Sequence, residues 1–288
     1  MTATLTAGPA DRVGHRSTFV ALAARELRRF VVNPVLLFAV VMSLWTASTD
    51  QAEVVLNVAV NPYPAIFLGG FGMVATYWLT RSMRNSEPVV GVAPIPEPVR
   101  TAALCVVAIV PLLCGCVCLF LSLRFYPIGS PVYGDFSRPT QAAILVGQMV
   151  IPTLGGPLLG VALGRWVRFP GAAVVLFLLI FGWVNLATWP SLTHPDSAPA
   201  AALRLFSPFA YWSFAENRVD VTTWRGSPWF FLGWQLALCA IAVLVALLRG
   251  ADSPVRPRIG RALWVALLVA GIMFMVANAV GVTHTVGA

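Results

Sequence analysis

Seven long apolar stretches divide the chain, and the polar and charged positions gather in the short segments between them. The stretches lie at roughly 34–49, 62–80, 101–123, 141–164, 171–189, 230–248 and 262–280. Most approach the roughly 20 residues that a helix needs to cross about 30 Å of hydrocarbon. None shows the apolar–polar alternation of a barrel strand, and lipid offers the backbone no hydrogen-bond partner. Each stretch therefore predicts a helix. The expected fold is an all-α integral membrane protein, a polytopic helical bundle of six to seven transmembrane helices. The count is six if the stretch 262–280 does not cross and seven if it does.

A different period precedes the first stretch. At about 100° per residue, Phe19, Val20, Ala23, Leu27, Phe30 and Val31 share one arc, and Arg25, Glu26, Arg28 and Arg29 the opposite one. Leu22 is the misfit. The pattern predicts an N-terminal interfacial amphipathic helix over 17–33, capped by Ser17 or Thr18. Arg25, Arg28 and Arg29 would then face anionic lipid or a partner. The plainer alternative is a juxtamembrane arginine cluster with no helix of its own. Asn33-Pro34 breaks the pattern and opens the first span. Residues 1–16 predict a disordered cytoplasmic tail, and 34–282 a transmembrane domain.

Composition narrows the class. Of 288 residues, 58% are hydrophobic and 10% charged, against about 25% charged in a soluble domain. A core of this length cannot hide so much apolar surface from water. All 19 basic residues are arginine. The formal charge of +8 does not point to nucleic acid, because the arginines sit at the ends of apolar stretches, where they encode topology. With a cytoplasmic N-terminus, fourteen arginines fall inside and five outside. That imbalance predicts a multi-pass plasma-membrane protein with its N-terminus in the cytoplasm and, for seven spans, its C-terminus outside. Trp45, Trp78, Trp166, Trp189 and Trp229 lie near span ends, where the indole ring prefers the interface. Trp183 and Trp234 sit deeper and predict packing.

Little catalytic chemistry is present. No ionisable residue lies in the middle of a predicted span, which weighs against a proton relay or an ion-coupled antiporter. Gln148, Asn185, Gln235 and Asn278 are the buried polar candidates, expected to hydrogen-bond between helices. Cys114, Cys116 and Cys118 are two apart, so on a helix they cannot converge on a metal. The segment 155–160 is glycine-rich but lacks the Gly-Lys-Ser/Thr ending of a nucleotide-binding loop. No catalytic, cofactor-binding or metal-binding residue is expected. Gly156, Gly160 and Gly164, spaced by four, predict close helix packing, either within the chain or between copies. Pro152 and Pro157 should bend that helix, and Pro111 its predecessor. The outer segment 190–229 is amphipathic and aromatic, and predicts one or two short helices at the outer leaflet.

The inside loop 81–100 carries its own helix-start signal at Ser86, Glu87 and Pro88, a small apolar face, and a stop at Pro94 and Pro96. A short helix across the ends of two spans is able to receive force from a cytosolic partner; a proline-stiffened connector is the plainer alternative.

Arg25-Glu26-Leu27-Arg28-Arg29, Asn33-Pro34, Ser86-Glu87, Ala93-Pro94-Ile95 and Arg100-Thr101 stand in an order that resembles the permease subunits of type-2 ABC exporters, particularly actinobacterial ones. The likeness covers the layout of about residues 17–250. It departs from the family pattern at Pro88 and in its seventh stretch. The resemblance implies a connecting helix over 17–33 and a coupling element over 81–100, with Arg84, Glu87, Pro94, Glu97 and Arg100 meeting a separate ATPase. It also implies ABC ATPase subunits as partners, which would hold ATP and Mg, and a second permease copy or homologue, all within membrane lipid. A secondary transporter or channel, or a membrane-embedded lipid-modifying enzyme, is the alternative.

Overall fold

The computed structural model describes residues 9–48, 63–85, 96–125, 127–129, 137–193, 198–206, 215–217, 220–222, 226–280 and 285–286. Helices carry the architecture. α1 (Pro9–Val31) and α2 (Pro34–Ser48) are followed by a π-helical turn (Ala65–Phe71) that runs straight into α3 (Gly72–Asn85). α4 (Glu97–Val106) and α5 (Ile109–Ser122) form one interrupted rod. α6 (Arg138–Leu145), a π-helical turn (Val146–Val150) and α7 (Ile151–Trp166) form another. α8 (Ala172–Thr193), the short α9 (Ala198–Leu205), α10 (Pro228–Arg249) and α11 (Arg256–Ala279) complete the bundle.

Four helical rods are long and apolar enough to cross a membrane: Glu97–Ser122, Arg138–Trp166, Pro228–Arg249 and Arg256–Ala279. α1 and α2 make a fifth if the bent pair is counted as one span, the bend being 66°. The break has a local cause. Asn33 Oδ1 accepts a 2.9 Å bond from the Val35 amide, and Pro34 starts α2 where no amide hydrogen is needed. α1 begins at Pro9, earlier than Ser17, so residues 9–16 are helical. Proline suits a first helical position.

The other breaks also fall at proline. The rod of α4 and α5 loosens at Val107–Ala108, where the amides of both bond only three residues back, at 3.2 Å. Val107 lies four residues before Pro111, whose ring would collide with that carbonyl in a regular helix. The π-helical turn before α7 sits just ahead of Pro152, which cannot donate.

α7 is the centre. Of the most apolar part of the rod it forms with α6, 72% is buried, against 11% for α11. Its close approach to α3 depends on absent side chains. A methyl group on Gly156 would overlap the Gly69 carbonyl, one on Gly160 the Met73 carbonyl, and one on Gly164 would lie 2.7 Å from Thr80 Cβ. The sequence left open whether this stripe packs within the chain or between copies; here it meets the chain's own α3. The contact is sealed by the Thr76 hydroxyl, 2.8 Å from the Pro157 carbonyl oxygen. On the opposite side, Gln235 Nε2 of α10 donates to the Gly147 carbonyl at 2.8 Å. Asn185 and Asn278 instead bond one turn back within their own helices, to Phe181 and Phe274. Asn185 is exposed, so its amide bonds locally for want of a neighbouring helix.

α10 and α11 are antiparallel, and the Ser227 amide donates to the Ala277 carbonyl at 2.9 Å. A relay of rings joins α8, the end of α9, α11 and α10: Trp183–Phe206, Phe206–Phe274, Phe274–Trp234 and Trp234–Phe231, with centroids 5.4–6.3 Å apart. Trp234 is buried as expected, whereas Trp183 is exposed and touches only the ring of Phe206 among these aromatics. Trp45, Trp78, Trp166 and Trp229 are exposed. A three-stranded antiparallel ribbon, absent from the sequence reading, pairs β1 (Ala215–Asn217), β2 (Asp220–Thr222) and β3 (Thr285–Val286). It ties the C-terminal end to the segment 190–229. Strands of two or three residues carry no hydrophobic period by which to predict them.

The glycine stripe makes a sharp test. Gly160→Ala should destabilise the detergent-solubilised protein by about 1–3 kcal/mol through overpacking, read as a lower melting temperature. Gly182→Ala, where an added Cβ meets nothing within 4 Å, should leave that temperature unchanged or raise it, because alanine is the better helix former.

Candidate functional site: the arginine-lined end of the bundle

The last turn of α3, the first of α4, the last of α7, the last of α10 and the first of α11 all reach one end of the bundle. There Arg84, Glu97, Arg165, Trp166, Arg249 and Arg256 line a cavity of about 420 Å³. α1 joins the same end, packed against α4.

Each side chain has a structural reason to be there. The last carbonyls of a helix lack intrahelical partners and attract cations. Arg84 Nη1 meets this need for α7, donating to the Gly164 carbonyl at 3.0 Å and lying 3.3 Å from that of Val167. Glu97 opens α4, where a carboxylate complements the positive helix terminus. It forms an ion pair with Arg165, whose side chain is only 2% exposed while that of Glu97 is 42% exposed. Gly250 makes the approach possible: a Cβ there would lie 2.7 Å from Glu97 Cγ. Trp166 donates from Nε1 to the Val245 carbonyl at 2.8 Å, and the Arg249 guanidinium stands over its ring, 5.2 Å from the centroid. Such a stack is worth about 0.5–1 kcal/mol at an exposed site.

α1 corrects the arc drawn from the sequence. Glu26 belongs to the buried side with Ala23 and Phe30, and Arg29 Nη1 reaches back to it at 3.0 Å. Val20 and Val31, placed on the apolar arc, are exposed. The helix presents three faces: Phe19, Ala23, Glu26 and Phe30 toward the bundle, Val20 and Val31 beside them on an exposed apolar flank, and Arg25 and Arg28 on an exposed polar flank. A two-sided wheel has no place for a packing face distinct from an apolar surface face.

The predicted coupling residues divide. Arg84 and Glu97 are engaged inside the chain, as the anchors of a loop rather than its outward surface. Arg100 lies half-buried one turn along α4. Glu87, Pro94 and the expected short helix starting at Ser86 fall outside the described residues. Residues 81–85 continue α3, and 97–100 already belong to α4, so the connector shortens to 86–96. Arg165, Arg249 and Arg256 were not singled out in the sequence, and Trp166 only as an interfacial ring. Their one signal is that each ends an apolar stretch on the arginine-rich side. That they converge is a tertiary fact.

Among the described residues, no group of three or more His, Cys, Asp or Glu converges as a metal site. Cys114 is half-buried, Cys116 exposed and Cys118 buried, so the three thiols face different surroundings. No family model, curated protein or solved structure matches the chain.

The Glu97–Arg165 pair is asymmetric, and its mutants should be too. Glu97→Ala strands a buried guanidinium and should cost about 3–5 kcal/mol. Arg165→Met leaves a carboxylate that water can reach and should cost clearly less. Thermal unfolding of the two purified variants checks the order; equal losses would deny that the buried partner governs the pair.

Proposed function

We propose that the chain is the permease subunit of an ATP-driven ABC transporter of the type-2 exporter kind, working with separate ATPase subunits. The observation that carries the proposal is the mounting of loop 86–96. One flank, Arg84, is bonded to the end of α7. The other, Glu97, is paired with Arg165 of the same helix. A force on the loop therefore reaches the most buried helix of the bundle directly. That is the connection an external motor needs, and it adds to the sequence resemblance at Ser86-Glu87, Pro94 and Arg100-Thr101.

In this reading the arginine-lined end is cytoplasmic, by the fourteen-to-five division of arginines. α1 is the interfacial connecting helix. Its angle to α2 and its exposed flanks, one apolar and one basic, suit the headgroup region. Seven spans cross the membrane: α2, α3 with its leading π turn, the two interrupted rods, α8, α10 and α11. The C-terminal strand lies outside with β1 and β2. ATP and Mg are held by the partner subunits. A second permease copy or homologue completes the pathway. ATP-driven closure of the ATPase pair pushes the two loops, and the bundle passes between two packed arrangements whose balance the motor shifts. This chain contributes the lever and the path and carries no catalytic residue.

Two measurements test the reading. Purified in mild detergent from its native membrane, the tagged chain should bring down an ATPase and show ATP hydrolysis, while the chain stripped of that partner should show none. Glu87→Arg should reduce the retained ATPase activity several-fold without altering the elution volume of the permease. Hydrolysis by the isolated chain would refute the assignment. For topology, a membrane-impermeant maleimide should label Ala288→Cys on intact cells and Gly91→Cys only after permeabilisation; the reverse pattern would invert the orientation.

A further inference from the structure

The cavity at the arginine-lined end holds four arginines and one carboxylate. Glu97 is occupied by Arg165, so the remaining positive charge is not matched by carboxylates among the lining residues. Arg256 makes this sharper. It is the first residue of α11, at the positive end of the helix dipole, and that first turn contains no acidic residue. A cation there is unfavourable by itself and is relieved by a bound anion.

A second observation identifies the anion's carrier. Directly along α7 and α10 lies an apolar groove of about 250 Å³, lined by Gly155, Leu159 and Ala162 of α7, Leu238 and Val245 of α10, and Phe177 of α8. Ala162 and Val245 of the groove stand one turn, about 6 Å, from Trp166 and Arg249 of the cavity. Between Gln235 and Val245 the groove follows α10 for about 15 Å, half the roughly 30 Å hydrocarbon thickness, which is the depth of one leaflet. Trp166 lies at the junction, half-exposed, where an interfacial indole belongs. A basic cavity at headgroup depth, one helical turn from a greasy groove one leaflet deep, has the shape of a phospholipid.

We propose that this composite site binds an anionic phospholipid of the inner leaflet. Its phosphate sits among Arg84, Arg249 and Arg256, and one acyl chain lies in the groove between α8 and α10. Basic pockets between transmembrane helices on the cytoplasmic side bind phosphate headgroups in this manner. The site touches the residues that anchor loop 86–96, so occupancy stiffens the same end that receives a partner. The proposal rests on the membrane orientation and not on the transporter assignment.

The test uses the full-length chain in a neutral detergent. Added phosphatidylglycerol should raise its melting temperature by about 5 °C over the same amount of phosphatidylcholine. The double variant Arg249→Gln/Arg256→Gln should lose at least half of that difference. Arg258→Gln/Arg261→Gln, which removes the same charge from exposed positions of α11 outside the cavity, should keep it. Equal shifts with the two lipids, or an undiminished shift in the cavity variant, would overturn the proposal. Inorganic phosphate should give no comparable shift; a full shift from phosphate alone would mean that the site takes a free anion, and the lipid assignment would fall. An ATPase partner takes no part in these measurements, so their failure leaves the transporter reading standing, and the converse holds.

Discussion

A guanidinium withdrawn from water at the edge of an apolar bundle has to be met by an anion, and much of this structure follows from how Arg165 is met. Its partner, Glu97, is on the helix that starts after the connector 86–96. To reach Arg165, α4 has to begin at Glu97, and its first turn has to lie against α7 and against the bare backbone at Gly250. The same requirement fixes the other flank of the connector, because α3 already lies along α7, and Arg84 completes the carbonyl end that Arg165 and Trp166 terminate. Ion pairs taken out of water add little net stability compared with apolar contacts, but they resist being broken. What this pair contributes is register: it fixes the first turn of α4 against the end of α7.

The glycine stripe of α7 supplies the complementary constraint. Within lipid, apolar side chains gain little by leaving one apolar surface for another, so helices associate through close packing and polar ties. Gly156, Gly160 and Gly164 bring α7 against α3 closely enough for Thr76 to reach the Pro157 carbonyl, and Gly147 lets Gln235 approach from α10. The ring of Pro157 leaves the helix interior without one amide, and Pro152 follows a π-helical turn, so the rod most deeply buried is also the one with the least regular backbone. A buried helix with such breaks has the construction of an element able to pack in two ways, which is the property the proposed mechanism asks of it.

The helical stretches were legible because lipid-length apolar runs have few other interpretations, and every one of the seven coincides with a helix. Pro111 and Pro152 marked the interruptions. The role of Glu26 was not legible. A wheel with two faces assigns a carboxylate to water, whereas this helix has a packing face, and Arg29 supplies the charge that lets Glu26 occupy its margin. The arginine-lined cavity was visible only as a tally. Counting arginines at the ends of stretches gave an expected sidedness, but no local pattern says that residues 84, 97, 165, 249 and 256 meet, because their meeting depends on which helices are neighbours. The ribbon of β1, β2 and β3 was invisible for another reason: two strands of three residues and one of two have too few positions to form a pattern.

α11 shows how the two ends of the bundle are linked. It is the least buried of the long helices and touches mainly α10, yet it is fastened at both termini. At one, Ala277 accepts the Ser227 amide and Phe274 joins the ring relay through Trp234 and Phe206. At the other, Arg256 closes the basic cavity beside Arg249. Along its middle, Trp264, Leu268 and Ile272 point outward while Ala270 and Met273 pack on α10. Removing this helix would strip α10 of the apolar contacts it makes with Ala270, Met273, Phe274 and Ala277, open the cavity at one end and release the ribbon strand at the other. Its position at the edge of the bundle is therefore compatible with a role at both faces. The ends of α11 carry its structural work: one brings Arg256 to a site that α10 alone leaves open, and the other carries the chain toward the strand that pairs with β2.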